Sequence, residues 1–202
     1  MAEHFVIVTS ARDAVIKGTL RELRAPLRAL ADYRYPDVEL GGWAGPIAQL
    51  QQAARLTSDA KSLEQAASGV AAMGRVCGQC HLDNGGARTQ FDLPVEKKAA
   101  RADTLKVRML RHTFAADSLW LGLTTPSDEA WNAGASALTH APPKPPEDAL
   151  TPTPGFEAAL QEVRSLGQRA AEAGNLDERA NVYALLLATC ANCHAYGADA
   201  EF

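Results

Sequence analysis

Two short stretches of this chain carry one pattern, Cys-x-x-Cys-His, and together they hold all four of its cysteines. The first stretch is Cys77-Gly-Gln-Cys80-His81 and the second is Cys190-Ala-Asn-Cys193-His194. Residues three apart on a helix or a tight turn share a face, so each stretch presents two thiols side by side with an imidazole next to them. Any fold of this chain must therefore accommodate two sites of the same chemistry.

Three chemistries use two thiols at this spacing: a zinc site, a disulfide and a covalently attached haem. Zinc needs four ligands in one shell, and more than half of the chain separates Cys80 from Cys190, so only folding can unite the two pairs. A redox-active C-x-x-C is expected near a β-α-β pattern, which this sequence lacks. Cys-x-x-Cys-His is the attachment pattern of c-type haem, in which two sulfurs bond the porphyrin and the histidine binds the iron.

The doubled pattern with no cysteine left over favours two haem c groups. The thioether residues are then Cys77, Cys80, Cys190 and Cys193, and the proximal iron ligands are His81 and His194. Zinc binding and two disulfides remain the alternatives at this point.

The motif belongs to a longer internal repeat, whose constant offset is the one that places Cys77 on Cys190. At this offset Trp43 aligns with Phe156, and apolar positions mostly match without a gap from there to the motif histidines. The apolar spacing is helical and no sustained alternation of period two occurs, so we predict an all-α protein. Residues 1–90 form the first unit and residues 98–202 the second, joined by a segment rich in Gly, Asn and Asp.

Each unit is predicted to form four helices, with Cys-x-x-Cys-His near the C-terminal end of the fourth. The predicted ranges are 3–17, 19–34, 46–56 and 59–82 in the first unit and 101–123, 127–139, 155–173 and 176–195 in the second. Pro26 is expected to kink or shorten the second helix, and prolines between residues 142 and 152 exclude a helix there. Four helices of this length can bury one haem between them.

Three further histidines are available as a second axial ligand: His4, His112 and His140. His4 and His112 occupy matching places, since each lies early in the first helix of its unit and heads an apolar stripe. The interval from His4 to His81 is also similar to the interval from His112 to His194. We expect His4 and His112 to be the distal iron ligands, and His140, which has no counterpart, to lie at the surface.

Methionine and an open iron are the alternatives for the distal position. Met73 lies one turn before Cys77 on the same predicted helix, where it is expected to pack in the core or against the haem edge. Met109 is better placed, but its only counterpart is Met1. An iron without a distal ligand is five-coordinate and open to small molecules such as NO or CO.

Composition and charge narrow the classes of function. The chain has 202 residues, 47% of them hydrophobic, and a formal net charge of −4. Nucleic-acid binding is not expected because a basic excess is missing. The sequence contains no run of about 18 apolar residues, so no transmembrane segment is predicted. The N-terminus lacks the features of a signal peptide. The acidic balance favours a redox partner protein with a basic patch.

A four-helix unit that ends in CGQCH (77–81) or CANCH (190–194) resembles the class II c-type cytochromes, the cytochrome c′ type. The resemblance implies two tandem cytochrome c′-like four-helix bundles, each with a C-terminal haem helix. The chain departs from that family because the unit is duplicated, and because His4 and His112 suggest six-coordinate iron, as in bacterial dihaem cytochromes with bis-histidine ligation. The resemblance also implies haem attachment outside the cytoplasm, so a periplasmic or otherwise exported protein is expected, with its leader absent from this sequence.

These features predict an electron carrier and not an enzyme. Iron held by two histidines has no open position, so its remaining chemistry is a change of oxidation state. If a distal position is vacant, the prediction changes to haem-based binding or sensing of NO or CO. A peroxidase-like enzyme needs an open iron with a distal acid or base, and no second group of that kind stands out.

Overall fold

The computed structural model describes residues 2–35, 40–85, 94, 104–140 and 154–197. Over these residues the chain forms eight α-helices and no strand, which confirms the predicted all-α class. The helices are α1 (Ala2–Ile16), α2 (Arg21–Ala31), α3 (Ala44–Ser58), α4 (Leu63–Asp83), α5 (Leu105–Thr124), α6 (Asp128–Thr139), α7 (Pro154–Glu172) and α8 (Leu176–Gly197). Within the described ranges, none of these helices combines the length and the apolar character needed to cross a membrane.

Each predicted helix corresponds to an observed one, and the differences lie at the ends. The prediction starts the fourth helix at residue 59, but α4 starts at Leu63 because the hydroxyl of Ser62 accepts the backbone N–H of Gln65. Thr104 caps α5 in the same way, through the backbone N–H of Val107. The predicted residues 101–103 lie outside the described part of the chain.

The second helix is shorter than its prediction of 19–34. It runs from Arg21 to Ala31 with Pro26 inside it, and Leu23, Leu27 and Leu30 form its buried face. The helix thus passes through Pro26, which lacks the N–H that would bond the preceding turn. The apolar face, buried against the core, holds the short helix in place.

Helices α1–α4, the first half, and α5–α8, the second half, share one packing order. In each half consecutive helices pack together, and the first helix also contacts the fourth. The halves meet along α4 and α8, and each of these fourth helices also contacts the first helix of the other half, α4 on α5 and α8 on α1. The two halves therefore contact each other reciprocally, with both Cys-x-x-Cys-His stretches on helices at the meeting surface.

One apolar core extends through both halves, and each of the eight described helices contributes buried residues to it. Met73 is fully buried within it, as predicted for a core residue. The close approach of α4 to α5 depends on two glycines. A Cβ on Gly78 would lie 2.2 Å from the carbonyl oxygen of Leu123, and one on Gly74 would lie 2.6 Å from the ring of Trp120. The division into units 1–90 and 98–202 stays a prediction, because most of the connecting residues lie outside the described ranges.

Candidate functional site

The cysteines lie in two pairs, one helical turn apart within each pair. We call Cys77, Cys80 and His81 of α4 the first site, and Cys190, Cys193 and His194 of α8 the second site. All four cysteines are partly buried free thiols. Burial raises the pKa of Cys77 and of Cys190 to about 12, and it also raises the pKa of Cys80 and of Cys193.

The raised thiol pKa values bear on the disulfide alternative. A redox-active dithiol works through a thiolate, and such cysteines have a lowered pKa. Here burial raises the thiol pKa in both pairs. Among the described residues, no positive charge lowers the pKa of Cys77 or Cys190. The environment therefore argues against thiol–disulfide exchange.

The zinc alternative requires the two cysteine pairs to come together. Across the described ranges, no three side chains of His, Cys, Asp or Glu form a group that could hold a metal ion. A structural zinc site needs four such ligands in a tetrahedral shell. The described residues therefore offer no ligand set for zinc, and the two sites stay separate.

The histidines of the two sites make the same contact in opposite halves. Nδ1 of His81 lies 2.7 Å from the carbonyl oxygen of Thr124, the last residue of α5. Nδ1 of His194 lies 2.6 Å from the carbonyl oxygen of Ile16, the last residue of α1. A carbonyl oxygen only accepts, so Nδ1 carries the proton in both rings and the lone pair of Nε2 remains for a metal. Iron- and zinc-binding histidines commonly have this arrangement, in which a carbonyl fixes the ring and its tautomer.

The accepting carbonyls are available because an α-helix leaves its last four carbonyls without intrahelical partners. Helix α1 ends in a Schellman motif at Gly18, which has a φ of +74°. The backbone N–H groups of Gly18 and Thr19 each donate over 2.9 Å, to the carbonyls of Val15 and Ala14 respectively. These bonds leave the carbonyl of Ile16 for the histidine of the opposite half.

A cavity of about 420 Å³ lies between α1, α5, α7 and α8. Its wall contains all three residues of the second site, and also His112 and Met109 of α5. Its apolar wall comes mainly from α7, with Phe156, Ala159, Leu160 and Val163. The volume falls within the range of about 300–1,000 Å³ typical of ligand pockets. The structure thus brings the predicted distal residue His112 to the same space as the attachment residues of its half.

His112 is held in its neutral form. Burial, followed by the positive charges of Arg108 and Arg111 and by His194, lowers the pKa of His112 to about 4. An imidazole must be neutral to bind a metal, so no proton has to leave His112 at neutral pH. The effect of His194 on His112 also places the two imidazoles within electrostatic reach of each other.

His4 has a different environment from its counterpart His112. Its side chain is buried, and the hydroxyl of Tyr35 lies 2.7 Å from its Nε2 and 3.1 Å from its Nδ1. The His4 ring also packs edge-on against Tyr33 and Tyr35, with centroid distances of 5.7 and 5.3 Å. Burial lowers the pKa of His4, so this imidazole is also biased towards the neutral form. The structure holds His4 within a cluster of two tyrosines.

Arg12 is a cavity residue that the sequence analysis missed. It comes from α1 of the first half, yet it lines the cavity of the second. Its side chain is buried and forms ion pairs of 2.6 Å with Asp13 and 2.8 Å with Asp117, and it lies above the ring of Trp120. The repeat gives no signal for it, because Arg12 matches Trp120 in the alignment that matches His4 with His112. His140, by contrast, is exposed as predicted and its Nδ1 lies 2.8 Å from the carbonyl of Ser136.

Comparisons with protein-family models, with curated proteins and with solved structures find no match for this chain. The features of this chain that bear most on its function are the two carbonyl-held histidines and the cavity beside Cys190 and Cys193.

Proposed function

We propose that this chain is a dihaem c-type cytochrome that transfers electrons and has no enzymatic activity of its own. The cysteines of each site form thioether bonds to one haem c, and His81 and His194 are the proximal iron ligands. The observation that carries the proposal is the shared hydrogen bond of these two histidines, whose Nδ1 protons are held by carbonyls 2.7 and 2.6 Å away. Nε2 is then the ligand atom in both sites.

The residues around the second site fit a haem. His112 and His194 border one cavity, the lowered pKa of His112 favours its neutral form, and the α7 side chains supply an apolar wall. A haem bound there supplies one-electron exchange at its iron. His112 and His194 would hold the iron of that haem, which would leave small molecules no place to bind.

For the first site we propose His4 as the distal ligand. To bind iron, Nε2 of His4 would have to give up its contact with the hydroxyl of Tyr35. Nδ1 of His4 lies 3.1 Å from the same hydroxyl and would then donate its proton to Tyr35. Tyr35 would in this way fix the ring of His4, as Thr124 fixes the ring of His81.

The helix order supports the proposal that the halves are two tandem cytochrome c′-like four-helix bundles that arose by duplication. Each half packs its helices in the same sequence and carries the motif towards the end of its fourth helix. Covalent haem attachment of this type implies a periplasmic or otherwise exported protein. The net charge of −4 supports a redox partner with a basic patch.

One observation favours a second candidate, the binding of NO or CO at the first site. The hydroxyl of Tyr35 lies closer to Nε2 of His4 than to Nδ1, so the atom needed for iron is already engaged. If that bond persists in the haem-loaded protein, the first iron is open. On this alternative, Tyr35→Phe releases His4, turns the first haem low-spin and abolishes CO binding. Tyr33→Phe is the matched control, since Tyr33 packs on His4 by ring contact.

Optical and EPR spectra of the oxidised and reduced protein test the electron-carrier proposal. We expect two low-spin c-type haems that do not bind CO when reduced. His4→Ala and His112→Ala should each turn one haem high-spin and leave the other low-spin. A wild-type protein with a high-spin haem that binds CO would contradict bis-histidine ligation and favour the second candidate.

A further inference from the structure

The first helix of each half carries two groups of interest, a proposed distal histidine and a terminal carbonyl that contacts a motif histidine. In α1, His4 lies near the start and Ile16 at the end, and in α5, His112 and Thr124 are separated by the same number of positions. His4, near the start of α1, and His112, near the middle of α5, are the proposed distal ligands of their own halves. The carbonyl at the end of each helix holds the motif histidine of the opposite half. Because an α-helix rises 1.5 Å per residue, each helix spans about 18 Å between these contacts.

Side chains tie α1 to α5 at equivalent positions. Arg12 of α1 pairs with Asp117 of α5 at 2.8 Å, and Trp120 of α5 donates its indole N–H to Thr9 of α1 at 3.1 Å. In the alignment that matches His4 with His112, Arg12 matches Trp120 and Thr9 matches Asp117. The two contacts therefore join the same pair of aligned positions, with the roles of α1 and α5 exchanged. One contact is an ion pair and the other is a neutral hydrogen bond.

Both helix ends contact the motif helix of the other half, and the contact at the end of α5 is the tighter one. At the end of α1, a Cβ on Gly18 would lie 3.4 Å from the carbonyl oxygen of Ala191 in α8. At the end of α5, a Cβ on Gly78 of α4 would lie 2.2 Å from the carbonyl oxygen of Leu123. A displacement of α1 or α5 along its axis would therefore alter the hydrogen bond of the opposite motif histidine.

We propose that α1 and α5 couple the two sites, so that a change of distal ligation at one iron alters the proximal histidine of the other. The carbonyls of Ile16 and Thr124 are the positioning groups, and they act through His194 and His81. The hydrogen bond to Nδ1 sets how strongly the imidazole donates electrons to a metal, and with it the reduction potential. This inference rests on the proposed function, because it needs iron at both sites.

A double-mutant cycle on the haem-loaded full chain tests the coupling. His4→Ala removes the distal ligand of the first site, and the haem that stays low-spin is then the second one. We expect its reduction equilibrium constant to change by about fivefold or more, the usual lower range for coupled sites. Imidazole added to His4→Ala refills the first iron and should return the second potential to its original value, which a folding defect would not do.

Gly18→Ala supplies the other arm of the cycle. It forces a side chain onto a backbone with a φ of +74°, where the added Cβ would contact Ala191 and Ala195 of α8, so the strained turn disturbs the contact of Ile16 with His194. In the Gly18→Ala background we expect the effect of His4→Ala on the second potential to be lost. Gly85→Ala is the matched control, with a φ of +73° and no neighbour within 4 Å in the described part of the chain, and it should leave the effect intact.

The outcomes separate the inference from the function it rests on. If the second potential ignores His4→Ala, or shifts equally with and without Gly18→Ala, the coupling through α1 is wrong and any interaction is directly between the haems. If the chain carries no haem in a host able to attach it, the proposed function itself fails.

Discussion

The imidazoles of His81 and His194 share one partner type, a carbonyl at the end of a helix from the other half. The motif histidines themselves follow from the sequence, because their pattern has a chemical reason. Their carbonyl partners cannot be predicted from the sequence, because the sequence does not indicate that the end of α1 packs against α8. Arg12 was missed for the same reason, because it acts in the half of the chain to which it does not belong.

The lowered pKa of the half-buried His112 predicts a loss of stability in acid for the haem-free chain. Its pKa of about 4 lies below the unfolded value near 6.5, so the folded state disfavours the proton. This contribution to stability is complete above pH 6.5 and is lost as the pH falls towards 4, by an amount on the order of 3 kcal/mol. Urea unfolding at several pH values measures it.

The control for this prediction is the exposed His140. His112→Gln should flatten the pH dependence between 6.5 and 4, whereas His140→Gln should leave it unchanged. An equal slope in the wild type and in His112→Gln would contradict the assignment.

The thiol environments predict an order of alkylation in the reduced, haem-free protein. Cys77 and Cys190 have the higher pKa values, about 12, and are the more enclosed member of each pair. We expect iodoacetamide at pH 8 to modify Cys80 and Cys193 first, as read by mass spectrometry of peptides over time. Early modification of Cys77 or Cys190 would show that burial does not control their reactivity.

At the scale of helices, the sequence was informative because apolar spacing and capping residues are local signals. The sequence predicts that α4 starts at residue 59, one turn before Leu63, because Ser58 and Asp59 are also suitable caps. In the structure it is the hydroxyl of Ser62 that makes the capping hydrogen bond. The long-range packing of α4 on α5 was not foreseen. It depends on Gly74 and Gly78, whose missing side chains matter only once the opposing helix is known.

Gly78→Ala tests that packing. The added Cβ would meet the carbonyl of Leu123 at 2.2 Å, so α4 and α5 must separate, at a cost of about 1–3 kcal/mol typical of overpacking. Because Thr124 follows Leu123, the bond to His81 should also weaken, and the spectrum of the first haem should change more than that of the second. Thermal unfolding and optical spectra measure both effects.

Gly45→Ala provides the helical control. Gly45 lies in the first turn of α3, just before Pro46, and no atom of the described residues lies within 4 Å of an added Cβ, so alanine should change the free energy of unfolding by less than about 1 kcal/mol. If Gly78→Ala behaves like Gly45→Ala, the close contact between α4 and α5 is not present in solution.

At the scale of the whole molecule, two similar halves share one core and exchange contacts at both sites. The constant offset in the sequence predicts a duplication, but it does not predict the shared core, because an offset indicates which residues each half contains and not how the halves pack together. The halves also differ where the repeat suggested equality. His112 borders an open cavity, whereas His4 is bonded to Tyr35.

The shared core predicts that the halves unfold together. Buried residues of α4, α5 and α8 contact one another across the boundary, so neither half keeps its apolar surface covered alone. We expect one cooperative transition, with coincident midpoints for helical circular dichroism and for each haem signal. Two separated transitions would indicate that the halves are independent domains.

The most direct test of the account is the number of haems bound covalently per chain, measured by intact mass and by the pyridine haemochrome spectrum. The protein should be produced with an export leader in a host able to attach c-type haem. We predict two haems in the wild type and one after Cys77→Ala with Cys80→Ala. One haem should likewise remain after Cys190→Ala with Cys193→Ala, and none when all four cysteines are replaced. A wild-type chain of unmodified mass would contradict the account, as would a haem that survives loss of all four cysteines.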